Sequence, residues 1–188
     1  MLNDTPQWVA IYTSPRAEKQ TAKRLHDLGY ETYLPLHHTL HRWSDRWKNV
    51  EEPLFFSYLF AKICLKDVVP VRNTSGVSYL VSWKGKPAII PDKEIEAIRR
   101  LMDAEAKVNV VKDSDLKKGK KVRIIGGQFA GMEGELISDC EDGNFGLTIT
   151  GLNFALVIEI QKALLRPIRE QKRKKGIWEK KEGNQIEK

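Results

Sequence analysis

The sequence predicts an α+β protein whose two regions differ in pattern. Up to residue 102, apolar segments of strand type alternate with two segments of helical period, whereas after residue 117 short alternating strands are separated by glycines. The second pattern is typical of a small β-barrel. With 41% hydrophobic and 30% charged residues, the chain has enough apolar side chains for a core, which excludes a protein that is disordered throughout.

The first strand and helix have the clearest signals. Residues 7–13 alternate in strand-forming types and predict a strand. Ser14 and Pro15 are the expected N-cap and first helical residue, and the helix is expected to end at Leu28, before Gly29. Its buried stripe is predicted as Ala17, Thr21, Leu25 and Leu28. The opposite face predicts either a solvated surface or a phosphate contact through Arg16, Lys19 and Lys23.

A second strand over residues 30–36 leads into two arms around Ser44 and Asp45, which predict a β-hairpin. With those two residues as the loop, Arg42 faces Trp47 across the strands, a geometry that permits cation–π stacking. Exposed tryptophans among cations suit stacking on a splayed base or docking on a protein; the alternative is that one tryptophan seals the core. The residues of this tip are Arg42, Trp43, Arg46, Trp47 and Lys48.

Residues 53–63 form the most apolar predicted strand, and it is apolar on both faces. We therefore expect two covers, helices of its own domain on one side and a partner on the other. A further strand over residues 76–83 and a helix capped by Asp92 complete this region. Phe56, Tyr58 and Phe60 are expected on one face of the apolar strand, and Phe55, Leu59 and Ile63 around the other.

Changes in composition divide the chain. Residues 103–116 lose the helical period and gain charge, which predicts a linker between a domain of residues 1–102 and a barrel of residues 117–168. Residues 169–188 are charged and predict a basic, flexible tail. Lys and Arg exceed Asp and Glu by four in residues 1–102 and by four in the tail, while the middle carries a net charge of −1. The basic parts favour proximity to a polyanion, unless the protein is simply basic.

Several function classes find no support in the residues. No segment approaches the roughly 18 apolar residues of a membrane span, no signal-peptide pattern is visible, and Cys64 and Cys140 form no disulfide framework, so we expect a cytoplasmic protein. No nucleophile arrangement, phosphate loop or metal-ligand spacing is evident. We expect no metal, no cofactor and no membrane contact, with an enzyme as the minor alternative. The histidines weighed as ligands are His37, His38 and His41.

Residues 122–136, VRIIGGQFAGMEGEL, resemble a KOW motif, whose glycines allow a tight turn and close strand crossing. The motif positions are Val122, Ile124, Gly126, Gly127, Phe129, Gly131 and Gly134. Upstream, WVAIYTSPRAEK, EPLFFSYLFAKI and TSGVSYLVSWKGKPAIIP resemble, in this order, the amino-terminal domain of NusG-type transcription elongation factors. SGVSYLV, KPAIIP and the WSDR tip resemble the specialised RfaH and UpxY antiterminators more than housekeeping NusG.

This resemblance implies an NGN-type α/β sandwich, with an antiparallel sheet flanked by helices, linked to an SH3-like KOW barrel. It implies a monomeric, non-catalytic bacterial antitermination factor that docks on the clamp of the largest RNA polymerase subunit. Such a factor suppresses pausing and termination at specific operons, here of the capsule or surface-polysaccharide type. The matching pocket positions are Tyr12, Phe55, Tyr58 and Phe60.

The resemblance also implies contact with nucleic acid, either the non-template DNA strand or the nascent leader RNA. The hairpin tip and the residues Arg16, Lys19, Lys23, Thr74 and Ser75 are the matching positions. A ribosomal protein or Rho is the expected partner of the KOW region. The competing class is a translation-associated KOW protein that binds RNA or the ribosome, which leaves the aromatic strand and the first domain unexplained.

Two stretches depart from the family pattern. Phe56 and Ser57 stand where a proline and a glycine or asparagine are common, and the polar triplet of RfaH falls near Asp67, Val68 and Val69. RfaH hides its pocket beneath a C-terminal domain refolded as a helical hairpin. Glycines at positions 143, 146 and 151 would each cost about 1 kcal/mol inside a helix. We therefore expect β structure over residues 117–168 at rest, without fold switching.

Overall fold

A computed structural model of the chain describes residues 5–43, 45–116, 118–137 and 144–168. The predicted tail of residues 169–188 lies outside these residues, as do Ser44, Cys140 and Gly143. The fold is mixed α/β, with antiparallel sheets and three α-helices in the described part of the chain. The helices are α1 (Glu18–Asp27), α2 (Val68–Arg72) and α3 (Asp92–Asp103). None of the described helices is long and apolar enough to cross a membrane.

The N-terminal sheet is antiparallel and has β1 at its centre. The strand order is β2-β5-β1-β6, and β9 also pairs with β1. Two small hairpins, β3–β4 and β7–β8, form separate two-stranded sheets. The strands are β1 (Gln7–Thr13), β2 (Glu31–Tyr33), β3 (Leu36–Arg42), β4 (Trp47–Pro53), β5 (Tyr58–Ile63), β6 (Val77–Leu80), β7 (Ser82–Trp83), β8 (Lys86–Pro87) and β9 (Ile89–Ile90).

The helices begin at other residues than their sequence signals indicate. Ser14 accepts a hydrogen bond from the Ala17 amide and Arg16 has a φ of 62°, so these residues form a turn and α1 starts at Glu18. Leu28, predicted to be buried, is 61% exposed, because it follows the last helical residue. Asp92 is the first residue of α3 and does not cap it, since Pro91 occupies the N-cap position.

The predicted apolar strand of residues 53–63 is shorter in the structure. Ser57 has a φ of 64°, and the Tyr58 amide donates to the carbonyl of Phe55, so a tight turn precedes β5. Phe56 therefore lies outside the strand, 67% exposed, and does not share a face with Tyr58 and Phe60 as predicted. The left-handed conformation at Ser57 breaks the alternation on which that prediction depended.

The C-terminal sheet is antiparallel, with the strand order β10-β14-β13-β12-β11-β15. One strand, β10, is formed by residues within the predicted linker and pairs with β14. Leu136 is partly exposed, whereas the buried apolar side chains of this region include Val122, Ile124, Phe129, Leu147, Ile149, Leu156, Ile158 and Ile160. The strands are β10 (Asn109–Lys112), β11 (Lys118–Ile124), β12 (Glu133–Ile137), β13 (Asn144–Ile149), β14 (Phe154–Glu159) and β15 (Leu165–Pro167).

The two faces of the N-terminal sheet contribute to different cores. On one face, Val9, Ile11 and Leu59 pack with Leu25 of α1 and Val71 of α2. The other face packs with α3 and with the C-terminal sheet in a single larger cluster. The N-terminal sheet thus lies between α1 and α2 on one face and α3 together with the C-terminal sheet on the other.

Candidate functional site

Five tyrosine and phenylalanine rings lie on the N-terminal sheet, on the face turned towards the C-terminal sheet. Tyr12 pairs in register with Tyr58 on β5 and with Tyr79 on β6. Its ring is stacked on Tyr79 at 4.8 Å between centroids and meets Tyr58 edge-on at 5.0 Å. Tyr33 and Phe60 extend the row, with centroids 6.2 Å apart. We call Tyr12, Tyr33, Tyr58, Phe60 and Tyr79 the aromatic face.

Phe154 of β14 covers part of the aromatic face. Its ring lies 5.9 Å from that of Tyr58 and 6.2 Å from that of Phe55, distances typical of favourable aromatic pairs. Phe55 is only 2% exposed, and Phe60 is fully buried. The second cover, which the sequence led us to expect from a partner, is therefore supplied by the C-terminal sheet of the same chain.

Two polar contacts hold α3 against the C-terminal sheet beside the aromatic contact. The buried carboxylate of Glu94 accepts hydrogen bonds from the amide of Thr150 at 2.8 Å and from its hydroxyl at 2.7 Å. Arg100 donates to the carbonyls of Gln128 at 2.6 Å and Ala130 at 3.1 Å. Neither residue was singled out by the sequence, because both lie on a helix whose apolar period gives no information about distant loops.

Burial favours the neutral form of two tyrosine hydroxyls of the aromatic face, those of Tyr33 and Tyr58. It raises the pKa of Tyr58, and the neighbouring Tyr79 and Tyr12 raise it further. Burial likewise raises the pKa of Tyr33, an effect that Arg99, whose guanidinium lies 4.7 Å from the ring centroid, partly opposes. Loss of either of these two protons is therefore less favourable in the folded protein than in the unfolded chain.

The turn that leads into β5 is held by Glu18, a residue that the sequence reading missed. Its buried carboxylate accepts a hydrogen bond from the Ser57 amide at 2.7 Å, and the Ser57 carbonyl accepts one from the Thr13 amide at 2.8 Å. These bonds hold Ser57 at its positive φ and so position Phe55 and Tyr58 on either side of it. The sequence signal that could have identified Glu18 is its negative charge between Arg16 and Lys19.

The β3–β4 hairpin has the predicted pairing, and the two tryptophans at its tip are exposed. Arg42 lies opposite Trp47, and Trp43 and Trp47 are 60% and 66% exposed. Among the described residues, the cations that lie over aromatic rings are Lys62 and Arg99. Arg42 therefore does not stack on Trp47, although their cross-strand pairing permits it. Arg42, Trp43, Arg46, Trp47 and Lys48 are all exposed.

The structure brings α1 close to both the hairpin and the turn before β6. Lys19 forms an ion pair with Glu51 of β4 at 2.6 Å, and its hydrogen bond lowers the pKa of the Glu51 carboxyl. Arg24, which the sequence reading missed, donates to the carbonyl of Ser75 at 2.9 Å. Arg16, Lys19, Lys23 and Ser75 are exposed, and Thr74 is half-buried. The predicted nucleic-acid residues therefore share one region of the surface, although Lys19 is already paired.

The KOW-like residues form the turn between β11 and β12 and the strands beside it. Val122, Ile124 and Phe129 are buried. Gly131 has a φ of 86°, which favours glycine, and a Cβ on Gly134 would collide with the carbonyl of Gly146. Gly126 and Gly127 lie in the same turn. Glycine is thus required at position 131 by the left-handed backbone conformation and at position 134 by the close approach of the neighbouring strand.

Three histidines of the hairpin do not converge on a metal site. His41 forms a contact with Glu52 at 3.2 Å. Within the described ranges no group of three or more His, Cys, Asp or Glu side chains could hold a metal ion.

Comparison with known proteins shows which family the chain matches. Residues 6–99 match the family model described as NusG, transcription termination factor nusG. The transcription termination/antitermination protein NusG of Streptococcus pyogenes is 30% identical over 119 residues, 61% of this chain and 64% of that protein. The chain therefore spans just under two thirds of that relative's length. The protein of the same name from Staphylococcus aureus is 26% identical over 157 residues, 76% of this chain and 84% of that protein.

A solved structure shares the fold. The chain resembles the structure described as "Domain interaction in Thermotoga maritima NusG" with a TM-score of 0.51 at 21% sequence identity. The similarity covers 87% of this chain and 98% of that one.

Proposed function

The chain belongs to the NusG family, and from this premise we propose that it is a transcription termination/antitermination factor that binds RNA polymerase. In this role it acts on the elongating polymerase in the cytoplasm and catalyses no reaction. The observation that supports the proposal most strongly is the aromatic face. Its row of rings continues from the half-exposed Tyr79 into side chains that are fully buried.

We propose that the aromatic face, together with Phe55, docks on the clamp helices of the largest polymerase subunit. Fully burying a Phe or Tyr side chain at an interface provides binding energy without charge pairing. Because Phe154 lies against Phe55 and Tyr58, a helix from the polymerase can reach these rings only after the C-terminal sheet separates from them. Tyr12 and Tyr79 are available before that separation.

We propose that the hairpin tip and the exposed cations of α1 contact nucleic acid, the non-template DNA strand or the leader RNA. Cations on phosphates would supply affinity, and stacking on Trp43 or Trp47 would supply preference for particular bases. Such a contact would let a factor of the RfaH or UpxY type act at specific operons, of the capsule or surface-polysaccharide kind. Polymerase docking alone cannot make this choice, since every elongation complex presents the same protein surface.

We propose a KOW barrel over residues 117–168, joined to an NGN-type domain of residues 1–102 through residues 103–116 and followed by a basic tail. The five antiparallel strands from β11 to β15 and the glycine turn after β11 support this assignment. The described part of this region is β structure, as expected, and not a helical hairpin. A ribosomal protein or Rho is the partner that we propose for the barrel.

Polymerase docking is tested by removing the two accessible rings of the aromatic face. The Tyr12→Ala and Tyr79→Ala double variant is expected to weaken binding to core RNA polymerase by about 1–3 kcal/mol, measured by interferometry with the full chain. Tyr30→Ala, which removes a half-buried tyrosine from the opposite face, is the matched control and is expected to bind like the parent. A folded double variant with parental affinity would refute docking through this face.

The nucleic-acid proposal is tested at the hairpin. Arg42→Ala with Arg46→Ala is expected to abolish selective terminator readthrough on the cognate leader template, while polymerase affinity stays within about 1 kcal/mol of the parent. Lys162→Ala with Arg166→Ala removes two exposed cations from the C-terminal region as a control. If the hairpin variant keeps its preference for the cognate leader, the selectivity determinant lies elsewhere.

A further inference from the structure

The β7–β8 hairpin presents a tryptophan at its tip on a fixed backbone. Trp83 pairs with Lys86 across a two-residue turn in which Lys84 and Gly85 have φ values of 51° and 77°. Two positive φ angles are characteristic of the type I′ turn, whose twist matches that of the paired strands. The base of the hairpin is tied to the central strand of the sheet, because the Val81 amide donates to the carbonyl of Ala10 at 2.9 Å.

Trp83 is the most exposed large hydrophobic side chain in the described part of the chain, at 70%. No aromatic ring or cation of the described residues stacks on it. Such exposure leaves a large apolar surface in water, which is unfavourable in the free protein. The indole faces are therefore open to a flat ligand.

The charge around Trp83 is of one sign. Residues 68–91 contain no Asp or Glu, and their charged side chains are Arg72, Lys84 and Lys86. Both lysines are exposed, and among the described residues no carboxylate pairs with either. An open ring next to Lys84 in the turn and opposite Lys86 on the paired strand matches a ligand that offers both a base face and a phosphate.

We propose that the β7–β8 hairpin is a second contact site for single-stranded nucleic acid. One base stacks on Trp83, and Lys84 and Lys86 contact the adjoining phosphates. A duplex offers phosphates but keeps its base faces stacked inside the helix, so the exposed ring favours a single strand. The proposal rests on the proposed function only in placing the chain beside nucleic acid, since the residues differ from those of the β3–β4 hairpin and of α1.

A direct experiment follows the fluorescence of Trp83 in the full chain. Replacing Trp43, Trp47 and Trp178 by Phe leaves Trp83 and the buried Trp8 as the indoles. Adding a single-stranded 12-nucleotide DNA of mixed sequence is expected to quench the emission, and the same sequence as a duplex is expected to quench it less. With Trp83→Phe added to this background, the response is expected to disappear.

Affinity for the labelled single strand is then measured by anisotropy in the otherwise unmodified chain. Trp83→Ala is expected to weaken binding by about fivefold or more, whereas Trp83→Phe, which keeps a stacking ring, is expected to stay within about twofold of the parent. Lys86→Gln is expected to reduce the slope of log affinity against log salt by about 0.7, the share of one phosphate contact on a single strand.

The outcomes separate this site from the proposed function. If the single strand binds without quenching Trp83, and Trp43→Ala with Trp47→Ala abolishes that binding, this inference is overturned and the proposed nucleic-acid function stands. If Trp83→Ala weakens binding to core polymerase and not to DNA, the hairpin is a protein contact and the inference is also wrong. Absence of any binding to the single strand at low salt overturns both nucleic-acid sites but leaves polymerase docking to its own test.

Discussion

The β3–β4 hairpin and the aromatic face use similar side chains but differ in their access to solvent. At the hairpin tip Trp43 and Trp47 are 60% and 66% exposed, whereas on the aromatic face Phe60 is fully buried. The hairpin is a two-stranded sheet of its own, and in the described part of the chain no second layer lies over the rings at its tip. The aromatic face belongs to a wider sheet that the C-terminal sheet covers. A ligand can therefore reach the hairpin directly, but it can reach the covered rings only when the two sheets separate.

The cover combines apolar and polar contacts, and this combination determines how it can open. Phe154 packs on Phe55 and Tyr58, while Glu94 and Arg100 hold the turns beside β13 and β11. A partner that replaces Phe154 by its own apolar side chains would recover the hydrophobic contribution. Such a partner would not replace the hydrogen bonds that Glu94 accepts from Thr150. These bonds therefore favour the arrangement in which the chain's own C-terminal sheet covers the rings.

The largest expected difference between the two regions is in stability. Phe60→Ala is expected to lower the free energy of unfolding by about 3–5 kcal/mol, because it leaves a cavity at the centre of the shared core. Trp47→Ala removes a larger ring, yet it is expected to change the stability by less than about 0.5 kcal/mol, since that ring is solvent-exposed. Urea unfolding followed by circular dichroism measures both. Similar losses for the two variants would show that the hairpin packs against the rest of the protein in solution.

The next effect concerns the polar part of the cover. Glu94→Ala removes both hydrogen bonds to Thr150 and is expected to weaken the contact between the sheets by about 1–3 kcal/mol. Hydrogen exchange of the β5 and β14 amides is then expected to become faster, and polymerase to bind more tightly if docking requires opening. Glu96→Ala, an exposed carboxylate on the same helix, is the control. Unchanged protection of β14 in the Glu94 variant would mean that apolar packing alone holds the cover.

The smallest effect is an alkaline pH dependence to which two tyrosines of the covered face contribute. The pKa of Tyr33 and that of Tyr58 are raised in the folded state, so the folded protein keeps these protons at pH values at which the unfolded chain loses them. Their contribution to stability is complete below about pH 10 and decreases as the pH rises above it, by at most about 1.4 kcal/mol per pH unit for each tyrosine. Tyr33→Phe with Tyr58→Phe is expected to unfold with a weaker alkaline dependence than the parent. An identical dependence would show that the rings are solvated in solution.

Local patterns in the sequence predicted much of the secondary structure. Alternation located β1, and the apolar period located α3, because both depend on neighbouring residues only. The same patterns failed where a single backbone angle interrupts them. Because Arg16 and Ser57 have positive φ values, α1 starts later and β5 is shorter than the patterns predict. The conformation of Ser57 is accompanied by a hydrogen bond from its amide to Glu18, a residue far away in the chain.

The proposed binding surfaces were also predicted to different extents, because some depend on local sequence and others on contacts between distant segments. The hairpin tip could be located from the sequence, because its exposure depends on a local turn between two short arms. Tyr58 and Phe60 could be located on the apolar strand, but not the layer that covers them, since a strand that is apolar on both faces requires a second layer without specifying which one. Tyr33 and Tyr79, which complete the aromatic face, were not singled out by the sequence. Trp83 was missed because a single tryptophan at the end of a short strand has no periodicity that distinguishes an exposed ring from a buried one.

The sequence by itself determined the α+β class, the order of the principal strands and helices, the glycine turn of the KOW-like segment and the aromatic composition of β5. These properties follow from periodicity and from the conformational limits of single residues, which act over a few positions. Only the tertiary structure decided that Phe154 lies on Phe55 and Tyr58, that Glu94 receives both hydrogen bonds of Thr150, and that Trp83 remains uncovered. Each of these depends on how the two sheets pack together, and packing between distant segments is set by the shape and burial of the whole protein.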